Sequence, residues 1–115
     1  MSMFPPPPPV VPEVDVDQFD HARATAAAVI DVRQPEEYDA GHVPGARLIP
    51  LSDVPGRLAE VPTEGEVLVI CQTGARSARA TDFFRRQGID ARNVAGGTKA
   101  WVESGRPVVH GPRPG

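Results

Sequence analysis

Residues 67 to 77 read VLVICQTGARS, an apolar run that passes directly into a short polar loop. Residues 67 to 70 are wholly apolar, which is typical of a central strand that is covered on both faces of a sheet. Cys71 follows this strand at once, and Gly74 lies in the loop before a helical pattern that ends at Gly88. This strand, loop and helix form the unit around which the other predicted elements are arranged.

Other strands and helices alternate with this unit along the chain. Strands are predicted at residues 13–17, 29–32, 46–49 and 92–95. Helices are predicted at residues 18–27 behind an Asp17 cap, from Pro35 to a stop at Gly41, from Ser52 or Asp53 to about Ala59, and at residues 98–104. This alternation predicts an α/β fold with a mostly parallel sheet and helices on both faces. Ligands of such sheets bind at the carboxyl ends of strands, where Cys71 lies.

Proline accounts for 14 of the 115 residues, and most of it lies in the two terminal stretches. The run from Pro5 to Pro9 has no apolar period and is typical of an extended polyproline segment, either a solvated linker or a ligand for a proline-binding domain. We predict a flexible arm at residues 1–11, one domain at residues 12–108 and a flexible tail at residues 109–115. A domain of that length has one core, which excludes a second domain.

The net charge is −3, yet residues 67–115 carry eight basic and three acidic residues, a balance of +5. Eleven of the twelve basic residues are arginines without a dense run, so small anions are expected as partners rather than nucleic acid. No apolar run is long enough to span a membrane and no secretory signal is visible, so we expect a cytoplasmic protein that binds no membrane. The single cysteine and the spacing of the histidines predict no disulfide, no metal and no cofactor.

The loop after Cys71 has the composition of an anion-binding nest. Gly74 can take a positive φ, which lets the chain curl and point consecutive backbone N–H groups inward. The positive end of the following helix adds to this field, and such surroundings lower the pKa of a thiol and favour the reactive thiolate. Arg76 adds a fixed cation and a bidentate donor for an oxyanion. Ser77 can donate its hydroxyl to the thiolate or cap the helix.

The chain resembles the single-domain rhodanese-like sulfurtransferases over residues 14–108. Four ordered blocks carry the resemblance: Asp31-Val32-Arg33; Pro35-Glu36-Glu37-Tyr38 with Gly41-His42-Val43-Pro44-Gly45-Ala46 and Ile49; the loop from Cys71 to Ser77; and Ala95-Gly96-Gly97 ahead of Ala100-Trp101. The resemblance implies a five-stranded parallel sheet flanked by helices. It also implies that His42 serves the fold, and we expect Gly96, Gly97 and Trp101 to shape a turn and a packing contact near the side of the active site.

The same resemblance implies a sulfurtransferase in which Cys71 is catalytic. Its thiolate attacks the outer sulfur of a small anionic donor such as thiosulfate, and the persulfide passes its sulfur to cyanide, a thiol or an acceptor protein. The expected substrate-binding residues are Gln72, Thr73, Gly74, Ala75, Arg76 and Ser77. Asp31 and Arg33 end a strand on the side of Cys71, so they either form a structural ion pair that orders the loop or contact the donor.

Two other functions stay open at this point. A phosphatase or arsenate reductase of related fold has five residues between its cysteine and arginine, whereas four separate Cys71 from Arg76, a smaller ring that suits one sulfur atom. A noncatalytic rhodanese-like module that binds or regulates a partner is the second alternative, although such modules commonly lose the cysteine. Gln72 stands where several thiosulfate-using relatives have Arg, which leaves the physiological donor open.

Overall fold

The computed structural model describes residue 3 and residues 6–115. The strands in this part of the chain are β1 (Glu13–Val14), β2 (Ala28–Asp31), β3 (Arg47–Leu48), β4 (Glu66–Ile70) and β5 (Asp90–Val94). The α-helices are α1 (Val16–Ala22), α2 (Pro35–Ala40), α3 (Ala75–Arg86) and α4 (Gly97–Glu103), and two 3₁₀ segments lie at Leu51–Asp53 and Pro55–Glu60. None of the helices in the described residues is long and apolar enough to cross a membrane.

The strands form one sheet in the order β1-β5-β4-β2-β3, and every neighbouring pair is parallel. This confirms the predicted five-stranded parallel sheet. The register pairs Asp31 with Ile70 and Asn93 with Val69, so the carboxyl ends of β2, β4 and β5 lie at the same edge. Cys71 follows β4, the central strand, at this edge.

Two apolar clusters cover the two faces of the sheet. Val67 and Val69 of β4 face the cluster that α3 and the 3₁₀ segments complete, and this cluster includes the fully buried Phe84. Leu68 and Ile70 face the opposite cluster, which includes the fully buried Phe19, Tyr38 and Trp101 of α1, α2 and α4. Burying a large side chain of this kind stabilises the fold by about 1.5–3 kcal/mol. The alternation along β4 therefore fixes helices on both faces, as predicted.

Two helices differ from their predicted form. The N-cap of α1 is Asp15 rather than Asp17, because the Asp15 carboxylate accepts from the Gln18 amide at 2.8 Å while the Gln18 side chain accepts from the Asp15 amide at 2.9 Å. This capping box starts the helix earlier, and α1 already ends at Ala22. The helix expected after Ser52 is instead a pair of 3₁₀ segments, since Pro55 has no N–H to continue an α-helix.

The terminal segments contact the domain where the structure describes them. Val109 pairs with His42 through two backbone hydrogen bonds of 2.9 Å, and the carbonyl of Pro114 accepts from the Gly45 amide at 2.9 Å. At the other end, Arg79 donates to the carbonyl of Pro6 at 2.9 Å. The proposed boundaries at residues 11 and 108, and the flexibility of the arm and the tail, stay predictions. Residues 1, 2, 4 and 5 of the arm lie outside the described residues.

The first turn of α4 holds the loop that follows β4. The amide of Thr98 donates to the carbonyl of Cys71 at 2.8 Å, its hydroxyl donates to the same oxygen at 3.0 Å, and the Lys99 amide donates to the carbonyl of Gln72 at 3.0 Å. Gly97 lies between the two segments with a φ of +58°, and a Cβ there would lie 2.6 Å from each of the two carbonyl oxygens. The close approach of α4 to the loop therefore requires glycine at this position.

We predict that Gly97→Ala destabilises the domain more than Gly105→Ala does. Gly105 has a φ of +78° with no atom near its absent Cβ, so the substitution there costs only backbone strain, about 1 kcal/mol. At Gly97 the clash with the loop carbonyls adds about 1–3 kcal/mol. Denaturant unfolding of the two variants measures both free energies. Equal stability of the two would contradict the proposed packing of α4 against the loop.

Candidate active site

Cys71 lies at the carboxyl end of β4 and is 1% exposed. Residues 72–74 form a tight loop, and α3 begins at Ala75 with Gly74 as its N-cap. Gly74 has a φ of +111°, which is the left-handed conformation expected from the sequence. The amino end of the twelve-residue α3 therefore points its partial positive charge at the loop.

The Cys71 sulfur receives hydrogen bonds from the loop and from α3. The amide of Gly74 lies 3.1 Å from Sγ, and the hydroxyl of Ser77 lies 3.2 Å from it. Burial raises the pKa of the thiol, but the Ser77 hydroxyl and the amides of Ser77, Gly74 and Thr73 together lower the pKa below its ordinary value. The site therefore favours the thiolate, the nucleophilic form of cysteine.

Asn93 is a buried member of this cluster that the sequence analysis missed. Its side-chain Oδ1 accepts from the Ser77 hydroxyl at 2.5 Å, and its Nδ2 donates to the carbonyl of Gly74 at 3.0 Å. The Gly74 carbonyl fixes which end of the amide faces Ser77. Because Ser77 has one hydroxyl proton, Asn93 and Cys71 compete for it. The sequence signal for this residue is a polar side chain near the carboxyl end of β5, the strand that pairs with β4.

Asp31 and Arg33 form a buried ion pair that contacts the loop. The guanidinium of Arg33 donates to Asp31 through Nε at 3.0 Å and Nη2 at 2.8 Å, and both side chains are at most 3% exposed. The remaining terminal nitrogen donates to Oε1 of Gln72 at 3.1 Å, while Nη2 also donates to the carbonyl of Gly41 at 2.8 Å. This geometry favours the loop-ordering role over direct contact with the donor.

Arg76 is paired in the structure with Glu37, a second residue that the sequence analysis did not assign to the site. The Arg76 Nη1 and Nη2 atoms donate to the two Glu37 oxygens at 2.7 and 2.9 Å. The pair is about one third exposed. The Arg76 hydrogen bonds are the largest influence that lowers the pKa of Glu37, to about 2, and the same pairing raises the pKa of Arg76.

His42 and Trp101, for which we expect structural roles, both contact backbone carbonyl oxygens. His42 is fully buried, and its Nδ1 and Nε2 each lie 2.8 Å from a backbone oxygen, of Tyr38 and Arg113 respectively. The Trp101 indole donates to the carbonyl of Pro107 at 2.7 Å. Among the described residues, no three His, Cys, Asp or Glu side chains are grouped where they could hold a metal ion.

Two open depressions flank the loop. One of about 430 Å³ is lined by residues that include Arg33, Glu37, Gly41, Gln72, Val102 and His110. The other, of about 300 Å³, is lined by residues that include Pro8, Pro9, Thr73, Gly74, Asn93 and Gly96. The first contains the polar side chain of Gln72 together with Val102, which is 51% exposed. This depression therefore adjoins the loop at Gln72.

Comparison with known proteins agrees with the fold. The profile of the rhodanese-like domain matches residues 15–104. A sulfurtransferase of Allochromatium vinosum is 33% identical over 103 residues, which cover 87% of this chain and 96% of that protein.

Two solved structures give the same result. A rhodanese-related protein from Thermoplasma volcanium has a TM-score of 0.80 and 30% identity, covering 86% of this chain and 98% of that one. A rhodanese-like domain protein from Staphylococcus aureus has a TM-score of 0.73 and 31% identity, covering 79% and 91%. With a matching profile over most of its length and these relatives, the chain belongs to the rhodanese-like domain family.

Proposed function

We propose that the protein is a sulfurtransferase that carries sulfane sulfur as a persulfide on Cys71. The observation that supports this most strongly is the ring of donors on the Cys71 sulfur, from Gly74, Thr73 and Ser77, which lowers its pKa in a buried loop. A buried cysteine without such donors would have a raised pKa and would be inert. Sulfurtransferase chemistry is also what the family membership supports.

The first half-reaction loads the cysteine. The Cys71 thiolate attacks the outer sulfur of a donor such as thiosulfate, a new S–S bond forms, and the bond between the two donor sulfurs breaks. Sulfite leaves with the electron pair of the broken bond, and Cys71 holds a persulfide anion. The charges balance at −3 on both sides, so the step needs no proton, oxidant or reductant. The loop amides and the Ser77 hydroxyl stabilise the anionic sulfur.

The second half-reaction returns the free thiolate. A thiophilic acceptor, such as cyanide or a thiolate, attacks the outer sulfur of the persulfide, and the Cys71 thiolate is the leaving group. A leaving group of low pKa departs faster, so the donors that favour the thiolate act in both half-reactions. Acceptor proteins that bring a thiol to the depression beside Gln72 are the expected cellular partners. A reducing compartment such as the cytoplasm keeps both thiols available.

The other predicted site residues have supporting roles in this proposal. Arg76 binds the oxyanion of the donor when it is not bound to Glu37. The Asp31–Arg33 pair orders the loop through Gln72. A phosphatase is less well supported, because the four-residue spacing between Cys71 and Arg76 leaves fewer amides for a tetrahedral phosphate.

The first experiment is mass spectrometry of the protein after incubation with thiosulfate. We expect wild-type protein to gain one sulfur atom on Cys71 and to lose it on addition of cyanide. Cys71→Ser should gain none, because the chain has no other cysteine. A folded wild-type protein that gains no sulfur from thiosulfate or from a thiol persulfide would support the noncatalytic module, and a gain that persists in Cys71→Ser would contradict the mechanism.

The pH dependence of the thiolate tests the role of Ser77. Ser77→Ala removes a hydrogen bond that lowers the pKa of Cys71, so we expect the thiolate to form at higher pH and the acid limb of kcat/KM to shift the same way. Ultraviolet absorbance of the thiolate measures this directly. The chain has one cysteine, and the pKa of its single tyrosine, Tyr38, is raised to about 12, out of the way of the thiol titration.

Thr81→Val is the matched control for this variant. Thr81 lies one turn further along α3 and is fully buried, and within the described part of the chain its hydroxyl has no hydrogen-bond partner. Deleting that hydroxyl should leave the thiol titration unchanged. If Ser77→Ala also left it unchanged in a folded protein, the Ser77 hydroxyl would be bonded to Asn93 alone.

A further inference from the structure

The two arginines that adjoin the active-site loop are both bound to carboxylates. Arg33 is held by the buried Asp31, and Arg76 is held by Glu37 through two hydrogen bonds. The groups that contact the Cys71 sulfur itself are amides and a hydroxyl, which are neutral. An anionic donor that approaches this loop therefore gains full charge compensation only if one of the arginines changes partner.

Glu37 is held in position beside Arg76, yet the ion pair between them is partly exposed to solvent. Its Oε1 also accepts from the Gln34 amide at 3.1 Å, which completes the capping box of α2 and fixes the side chain at the start of that helix. Its pKa of about 2 keeps it ionised at any pH at which the protein works. The pair is one third exposed, so water and small anions can reach it.

Glu37 occupies Nη1 and Nη2 of Arg76, the two nitrogens of the end-on bidentate contact that Arg offers to carboxylates and to sulfur oxyanions alike, and its carboxylate offsets the charge of the guanidinium. We propose that Glu37 is a specificity-determining residue that competes with the oxyanion of a sulfur donor for Arg76. It thereby disfavours dianionic donors such as thiosulfate relative to thiol persulfides, which carry no oxyanion. This inference rests on the proposed sulfurtransferase function.

A thiol persulfide can load the cysteine without Arg76. The Cys71 thiolate attacks the outer sulfur of R–S–SH, the new S–S bond forms to Cys71, and the donor S–S bond breaks. The donor leaves as the thiolate R–S⁻ with the electron pair, and the proton of the outer sulfur stays with the sulfur that is transferred. Atoms and charge balance, with one negative charge on each side. The depression beside Gln72 and Val102 can hold the organic part of such a donor.

The test compares Glu37→Gln with Glu36→Gln. Glutamine at residue 37 can still complete the capping box, so α2 is kept. Glu36 lies beside Glu37 in the first turn of α2 and is exposed, so its substitution removes the same charge from the same helix turn without touching Arg76. We expect Glu37→Gln to lower the KM for thiosulfate by about two- to fivefold, the worth of a partly exposed ion pair. Glu36→Gln should leave it unchanged.

Two further measurements separate competition for Arg76 from a general change in the site. With the persulfide of mercaptoethanol as donor, the KM should fall by a smaller factor in Glu37→Gln than the KM for thiosulfate does, because that donor has no oxyanion to bind Arg76. In the double variant Glu37→Gln with Arg76→Ala, the gain toward thiosulfate should disappear. A KM for thiosulfate that is unchanged in Glu37→Gln, or lowered equally in Glu36→Gln, would overturn the proposal.

Anion binding can also be measured without turnover. Calorimetric titration with sulfate should show tighter binding to Glu37→Gln than to the wild type or to Glu36→Gln, and equal affinities would overturn the inference. If no sulfur were transferred from either donor by any of these proteins, the proposed function would fail. The sulfate affinities would still decide whether Glu37 competes for Arg76.

Discussion

The geometry of the active-site loop depends on the hydrogen bonds that α4 donates to the carbonyls of Cys71 and Gln72. A peptide unit is planar and trans, so its C=O and N–H point in opposite directions. The carbonyl of Gln72 shares its peptide unit with the amide of Thr73, one of the groups that lower the pKa of Cys71. Once α4 holds the carbonyl on the outer side, that amide can only point inward. Backbone contacts from α4 thereby set the environment of the Cys71 sulfur.

Much of the fold can be predicted from the sequence, because strands, helices and turns depend mainly on neighbouring residues. The apolar residues of β4 and the alternation of strands and helices specify the parallel sheet, and Cys71 and Gly74 identify the loop and its helix. The boundaries were less accurate where two local signals competed: Asp15 and Asp17 both suit an N-cap, and only the return contact from Gln18 selects Asp15. Pro55 lies inside the helix predicted after Ser52, and because it has no N–H to donate, two 3₁₀ segments form there instead.

The partners of the site residues were harder to predict, because they come from distant parts of the chain. The sequence shows a second half with a balance of +5, which suggests free cations near Cys71. In the folded protein, acids of the first half neutralise several of these bases: Glu37 binds Arg76, Glu66 binds Arg92, and Asp17 and Asp20 bind Arg106. Asn93 likewise reaches Ser77 only through the parallel pairing of β4 with β5. The net charge of a sequence segment therefore does not predict the net charge around a site in the folded protein.

The central position of β4 has a consequence for the dynamics of the reaction centre. Active-site loops are usually drawn from the least stable parts of a fold, whereas the interior strands of a sheet open last in hydrogen exchange. Here Cys71, the proposed nucleophile, is attached directly to an interior strand that is paired on both sides, by β5 and β2. Fraying of the sheet edges therefore leaves the sulfur in place. A sulfur on this strand keeps its place in the fold until the sheet itself unfolds.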